Sequence, residues 1–209
     1  MISLMNSQEI MKFDIDFSRY IDIFLEQNSV LNLISKNEEK FLYEKHIYDS
    51  LAFNIFADKY NKKTGTLLDI GTGGGFPAVP ISMAYPKIQV TALDSIRKKI
   101  NAIINIKNEL NITNLEPLCE RAENLVGQKF DIITSRAVAT ISVLVKYVAP
   151  LLERDGYFIA YKSKRADCEL EEARTILTKY NLKLIDSLEY LLPLDDVYER
   201  KLLIFQKQK

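Results

Sequence analysis

The chain has 209 residues, 47% of them apolar and 27% charged, with 28 basic side chains set against 28 acidic ones. This composition excludes a disordered tail, and a net charge of zero excludes a global basic field that would draw the molecule to nucleic acid, so any such binding must come from local patches. One histidine, His46, and two cysteines, Cys119 and Cys168, make metal catalysis and Ser-His-Asp chemistry poor expectations and predict free thiols in a reducing compartment. The first residues, Met1 to Met5, are followed soon by charges and lack the apolar core and cleavage site of a signal peptide. No apolar run approaches the roughly 18–20 residues that span a bilayer. A cytoplasmic protein without membrane contact is therefore expected.

In chain order, residues 6 to about 60 read as helical. Phe13, Phe17, Tyr20, Ile21, Phe24 and Leu25 recur at helical spacing, as do Phe41, Leu42, Ile47, Leu51 and Phe56. The early aromatics are expected to be core. The polar stretch 61–65 marks a join, so residues 1–62 form a helical extension and 63–209 a second unit. From there, short strands and helices alternate. Strands are predicted at 66–70, 89–93, 115–119, 130–135 and 156–162, with helices at 77–85, 95–110, 141–152 and 167–180. Two strand-like runs, 182–192 and 200–206, follow with no helix between them. The alternation predicts a mostly parallel, doubly wound α/β sheet, and the closing pair an antiparallel hairpin.

Gly71-Thr72-Gly73-Gly74-Gly75-Phe76-Pro77 lies where the first strand runs into the next helix. Glycine there allows a sharp turn and close approach of a ligand to bare main chain, and Pro77 suits a first helical position. A dinucleotide fingerprint needs a third glycine where this chain has Phe76, and a phosphate-binding P-loop needs a Gly-Lys-Ser/Thr that is absent. Gly71, Gly73 and Gly75, with Asp69 two residues ahead, instead suit a cofactor carrying an amino acid and a sulfonium, namely S-adenosylmethionine. A bare strand-to-helix turn without a ligand is the competing explanation. Asp94 falls 23 residues after Gly71, where a carboxylate can accept from a ribose diol or cap the following helix. Ala122 and Glu123 follow the third strand, near where an adenine would lie.

These segments together resemble the RsmG family, also called glucose-inhibited division protein B. The likeness rests on residues 69–80, Leu93-Asp94-Ser95 with Lys98-Lys99, Arg121-Ala122-Glu123, Ser135-Arg136-Ala137-Val138, and upstream Asn32-Leu33-Ile34 and His46-Ile47-Tyr48-Asp49-Ser50-Leu51. The resemblance implies the class I, Rossmann-like S-adenosylmethionine methyltransferase fold and methyl transfer to N7 of a guanine in 16S ribosomal RNA. It carries cofactor contacts to Gly71, Phe76, Ala122, Glu123 and Arg136. The chain departs from the family pattern at Ala78 and at Ser163, where glycine is usual. Ala78 is expected to be tolerated if its backbone is helical.

The residues fit that chemistry. After the fourth strand, where amine methylases carry Asn-Pro-Pro-Tyr or Asp-Pro-Pro-Tyr, this chain reads Thr134-Ser135-Arg136-Ala137, and neither cysteine sits where a pyrimidine C5 methylase needs one. Guanine N7 offers a lone pair and no proton, so no general base, covalent catalyst or metal is expected. Arg136 is the candidate for positioning and electrostatic work, with an ion pair to Asp69 or Glu123 as its structural alternative. RNA contacts are expected from Lys98, Lys99, Lys162, Lys164 and Arg165, less so from Lys45 and Lys107. The partner would be 16S RNA or the small-subunit particle, and the enzyme a monomer. His46 and Asp49, one helical turn apart, read as a local packing or capping pair. Competing readings are a methyltransferase on a small molecule or protein, a non-catalytic nucleotide- or RNA-binding protein, and a nicotinamide-dependent oxidoreductase.

Overall fold

In the computed structural model of the chain, residues 15–163, 166–195 and 198–208 are described. Seven strands form one sheet in the order β3-β2-β1-β4-β5-β7-β6: β1 Gly65–Ile70, β2 Ile88–Asp94, β3 Leu115–Cys119, β4 Phe130–Arg136, β5 Leu152–Ser163, β6 Leu182–Leu192 and β7 Tyr198–Lys207. The pairs β1·β2, β1·β4, β2·β3 and β4·β5 are parallel, while β7 runs antiparallel to both β5 and β6. The strand order reverses beside β1, whose neighbours are β2 on one side and β4 on the other. That reversal opens a crevice at the strand carboxyl ends.

The core strands are apolar on both faces because helices cover both. Leu67, Val90, Ala92, Ile132 and Ile159 face one hydrophobic cluster. Their neighbours Leu68, Leu93, Ile133, Phe158 and Ala160 face the other. Helices α1 Ser18–Leu31, α2 Lys36–Glu39, α3 Asp49–Leu51, α4 Phe53–Lys59, α5 Ala78–Ala84 and α6 Arg97–Glu109 belong to the described residues before β3. Buried residues of α1, α3, α4, α5 and α6 join the first cluster. Helices α7 Ile141–Leu151 and α8 Ala166–Lys179 supply the second. The N-terminal extension thus shares a core with the sheet.

Most expected elements stand within two residues of their observed ends, and β3 and β6 coincide with them. The largest difference is β5, which begins four residues before the predicted 156. Helix α5 begins at Ala78 with Pro77 as its cap residue, one position later than expected. Ala78 is fully buried and helical, which is why an alanine is accommodated there. The extension is more broken than a helical reading of residues 6–60 predicts. Asn28 is buried, accepts from the Ile34 amide at 2.8 Å through Oδ1 and donates to Glu39 Oε1 at 2.7 Å. It thereby shapes the loop between α1 and α2. Residues 43–48 wind as a π turn before α3, a wide turn that recurs at functional sites. Phe17, Tyr20 and Phe24 are buried as expected; Phe13 lies outside the described residues.

Candidate active site

The turn after β1 forms because its glycines take backbone conformations that L side chains avoid. Gly71 has φ +72° and a Cβ there would meet Val138 Cγ2 at 2.4 Å, so packing and torsion both demand glycine. Gly73, at φ +59°, faces open space: the nearest atom to an added Cβ is the Gly71 carbonyl oxygen, at 4.0 Å. Bare main chain is therefore exposed at Gly73 for a ligand rather than for a protein neighbour. The amides of Gly71 and Thr72 donate to the Leu93 carbonyl at 2.8 and 2.9 Å, fixing the turn against the end of β2.

Asp69 lies beneath this elbow, fully buried. Its Oδ1 accepts from Thr134 Oγ1 at 2.9 Å. Burial pushes its pKa up to about 6, against the pull of the Thr72 and Thr134 hydroxyls and Arg136. Asp69 Oδ2 and Thr72 Oγ1 are both buried under the elbow, where the Thr72 hydroxyl and the Ala78 amide act on the carboxylate.

Two clefts meet at the elbow. The first, about 730 Å³, is lined on one wall by residues 32–35, Glu38, Lys45, His46 and Asp49 and on the other by the glycine turn, Arg136 and Arg200. The second, about 430 Å³, is lined by Asp94, Ile96, Ala122, Glu123, Val138 and Tyr147. Gly71, Lys99 and Ala137 border both. Asp94 accepts from the Gly73 amide and the Ile96 amide, each at 3.0 Å. It does not cap α6, whose cap residue is Ile96. Ala137 holds φ +55° without being glycine, a strained conformation of the kind that collects at ligand clamps.

Arg136, at the end of β4, is held by the extension. Its Nη1 donates to the Lys45 carbonyl at 3.1 Å and to Asp49 Oδ2 at 3.0 Å, and its Nη2 lies 2.9 Å from His46 Nδ1. Its ion-pair partner is therefore Asp49 and not Asp69 or Glu123, because the extension folds over the end of β4. Asp49 is almost fully buried and also receives Arg200 Nε at 3.0 Å, Arg200 Nη2 at 3.1 Å and the Tyr190 hydroxyl at 2.6 Å. Burial alone would raise its pKa, but Arg200, Arg136 and Tyr190 together hold it below the usual value. His46 and Asp49 are consequently two supports of one guanidinium, correcting their reading as an isolated local pair.

Phe76, expected against the cofactor, is 3% exposed. Its ring packs on Tyr20, Phe24 and His46 and lies 5.2 Å from the Arg136 guanidinium. It borders the first cleft but chiefly braces the two side chains behind it. Such aromatic pairs add about 0.5–1.5 kcal/mol each beyond area burial.

Of the expected RNA contacts, Lys99 borders both clefts, with Nζ 3.9 Å from Asp94 Oδ2. Lys98 is exposed on the first turn of α6. Lys162 is largely buried, donating to the Ala139 carbonyl at 2.8 Å and to Glu169 at 2.7 Å, so its ammonium is already committed. Lys107 pairs with Glu116 at 3.5 Å. Lys45 lies on the first cleft with its ammonium 5.3 Å from the Tyr198 ring. Lys164 and Arg165 lie outside the described residues. Sequence reasoning missed Arg200 and Tyr190. An arginine in a late strand carries no signal of its own, whereas the Asn32-Leu33-Ile34 resemblance did point to the 32–35 loop. Among the described residues no group of three or more His, Cys, Asp or Glu could hold a metal ion, and no helix is long and apolar enough to cross a membrane.

A parallel sheet with an antiparallel C-terminal hairpin, a glycine elbow at the reversal of strand order and an acid closing the second strand define a class I S-adenosylmethionine-dependent methyltransferase. Solved structures agree on the fold. The magnesium protoporphyrin IX methyltransferase of Synechocystis PCC 6803, solved with bound S-adenosylmethionine, superposes with a TM-score of 0.65 at 15% identity, covering 100% of both chains. A ribosomal protein L11 methylase from Lactobacillus delbrueckii subsp. bulgaricus gives 0.60 at 17% identity over 79% of each. The chain belongs to the family described as rRNA small subunit methyltransferase G, which it matches over residues 15–190. It is 37% identical over 196 residues to the ribosomal RNA small subunit methyltransferase G of Staphylococcus saprophyticus, covering 92% of this chain and 81% of that one. With the protein of the same name from Lachnoclostridium phytofermentans it shares 38% over 211 residues, covering 98% and 84%.

Proposed function

We propose that this enzyme transfers the methyl group of S-adenosylmethionine to N7 of a guanine in the 16S RNA of the small ribosomal subunit. The observation that carries this reading is the junction of the two clefts at Gly71 and Ala137. One cleft has the features of a nucleoside pocket, and the other has an open, polar rim. Asp94, Ala122 and Glu123 border the nucleoside pocket, while the main chain at Gly73, on the neighbouring cleft, suits an amino-acid moiety. When bound, the cofactor supplies an electrophilic methyl on a sulfonium.

The chain's own task is then to hold a base edge-on and keep its lone pair free. N7 has no proton to lose, so the cleft need supply no base. His46 has a pKa lowered to about 4, chiefly by burial and then by Arg136. Asp49 is held by two guanidiniums. Positioning can supply on the order of 7–11 kcal/mol in well-oriented systems. Lys45 and Lys99 on this cleft fit a phosphate backbone better than an apolar lid fit for a small molecule. In this reading the enzyme works as a monomer in the cytoplasm. Mass spectrometry of ribosomal RNA from cells with and without the protein tests it. Deletion should remove one 7-methylguanosine from the small-subunit RNA, and an unchanged nucleoside profile would reject the assignment.

A further inference from the structure

His46 carries a hydrogen-bond donor that nothing in the fold uses. A guanidinium only donates, so His46 Nδ1, 2.9 Å from Arg136 Nη2, must accept. The ring proton therefore sits on Nε2. The side chain is 10% exposed, and Nε2 is buried without a partner. The depressed pKa keeps the ring neutral, so this donor is fixed across physiological pH. A buried, unpaired N–H costs stability that the protein recovers only when something accepts from it.

Beside it, on the same cleft, stands a part-exposed carboxylate. Glu38 Oε1 is 3.9 Å from His46 Nε2, too far for a hydrogen bond. The other oxygen, Oε2, is held at 2.8 Å by the Ser35 hydroxyl, which also lowers the carboxyl pKa and keeps it ionised. Both residues line the first cleft. The Glu38 side chain is 42% exposed, so it is the member of the pair with room to move.

We propose that His46 Nε2 and Glu38 Oε1 read the Watson–Crick edge of the target guanine, His46 donating to O6 and Glu38 accepting from N1–H and the N2 amine. This rests on the guanine-methylating reading above. Guanine presents an acceptor next to two donors on that edge. Adenine presents a donor next to an acceptor, so both contacts would be mismatched. N7 lies on the far side of O6, and holding the Watson–Crick edge leaves its lone pair uncovered. Arg136, the side chain that would otherwise cap N7 and O6, is occupied by Lys45, Asp49 and His46. A site built to hydrogen-bond a base rejects its analogues far more strongly than an apolar pocket does.

The test uses Glu38→Gln and His46→Gln in the full-length enzyme, with small-subunit particles lacking the modification and labelled S-adenosylmethionine. Glutamine is accepted in the capping box with Ser35, so Glu38→Gln is expected to melt with wild type. Removing an acid from an RNA-facing wall should, by charge alone, tighten RNA binding. The proposal predicts the opposite: kcat/KM for the particle falls at least about tenfold in each variant, while affinity for S-adenosylhomocysteine is unchanged. Turnover of Glu38→Gln within threefold of wild type, or above it, would overturn the base-reading role. If wild type itself transfers no methyl to the RNA, it is the proposed function that fails.

Discussion

Arg136 shows how one side chain ties binding to folding. Its guanidinium meets a carbonyl, a carboxylate and an imidazole nitrogen on the extension, and an aromatic face below. From the sequence alone, Arg136→Ala would be expected to spare the fold. The pairing with buried Asp49 changes that expectation. Breaking a buried pair from one side costs several kcal/mol, here moderated because Arg200 still holds Asp49, so a loss of about 3 kcal/mol is expected. Calorimetry should show a lowered Tm, and initial rates should fall at least about tenfold, since the supports of His46 go with it. Arg136→Lys should recover little, because a single ammonium cannot reproduce a planar fork that meets several acceptors. Near-normal turnover in Arg136→Ala would remove it from the site.

At the same scale, two buried groups pull stability in opposite directions with pH. Asp69 has a folded pKa of about 6 against an ordinary 3.8, so the stability it contributes is present below 3.8 and lost as pH rises through 6. His46 has a folded pKa of about 4 against 6.5, so its contribution is present above 6.5 and lost as pH falls through 4. Between about 4 and 6 the two nearly cancel. Asp69→Asn removes one of them. Urea unfolding of that variant at several pH values should show stability climbing from pH 4 to 6.5 by the equivalent of about one proton, where wild type is nearly level. A level profile in the variant would mean that His46 is not neutralised by its surroundings.

At the scale of elements, local pattern and long-range pairing were legible to different degrees. Strand runs such as 115–119 and 182–192 were readable to the residue because their apolar composition and flanking turns are local signals. The glycine elbow was readable because positive φ at Gly71 and Gly73 restricts the residue type. Asp94 was correctly placed at the tip of β2, but its partners, the amides of Gly73 and Ile96, depend on how the elbow folds back. The extension was the least legible part. Its helical periodicity was clear, yet the π turn at 43–48 and the loop shaped by Asn28 answer to tertiary contacts. The joining of Asp49 to Arg136 and Arg200 spans 87 and 151 residues of chain, which no local pattern encodes. Lys162 shows the converse: a lysine near a strand end read as a surface contact because its pairing with Glu169 on α8 was invisible.

Over the whole molecule, equal numbers of acids and bases leave no net field, yet cations gather at one cleft. Lys45, Lys99, Arg136 and Arg200 border it, against Glu38 and Asp49. The sheet sets the elbow at the reversal of strand order, the extension closes one wall, and the C-terminal strands bring Arg200 and Tyr190 beneath it. The cleft thus requires three regions distant in sequence, which explains why the N-terminal helices share the sheet's core. The most direct measurement is transfer of labelled methyl from S-adenosylmethionine by the purified protein to small-subunit particles lacking the modification, followed by nucleoside identification. The label is predicted in 7-methylguanosine of the 16S RNA, at one site per particle. Label in any other nucleoside or in protein, or none at all, would contradict the account.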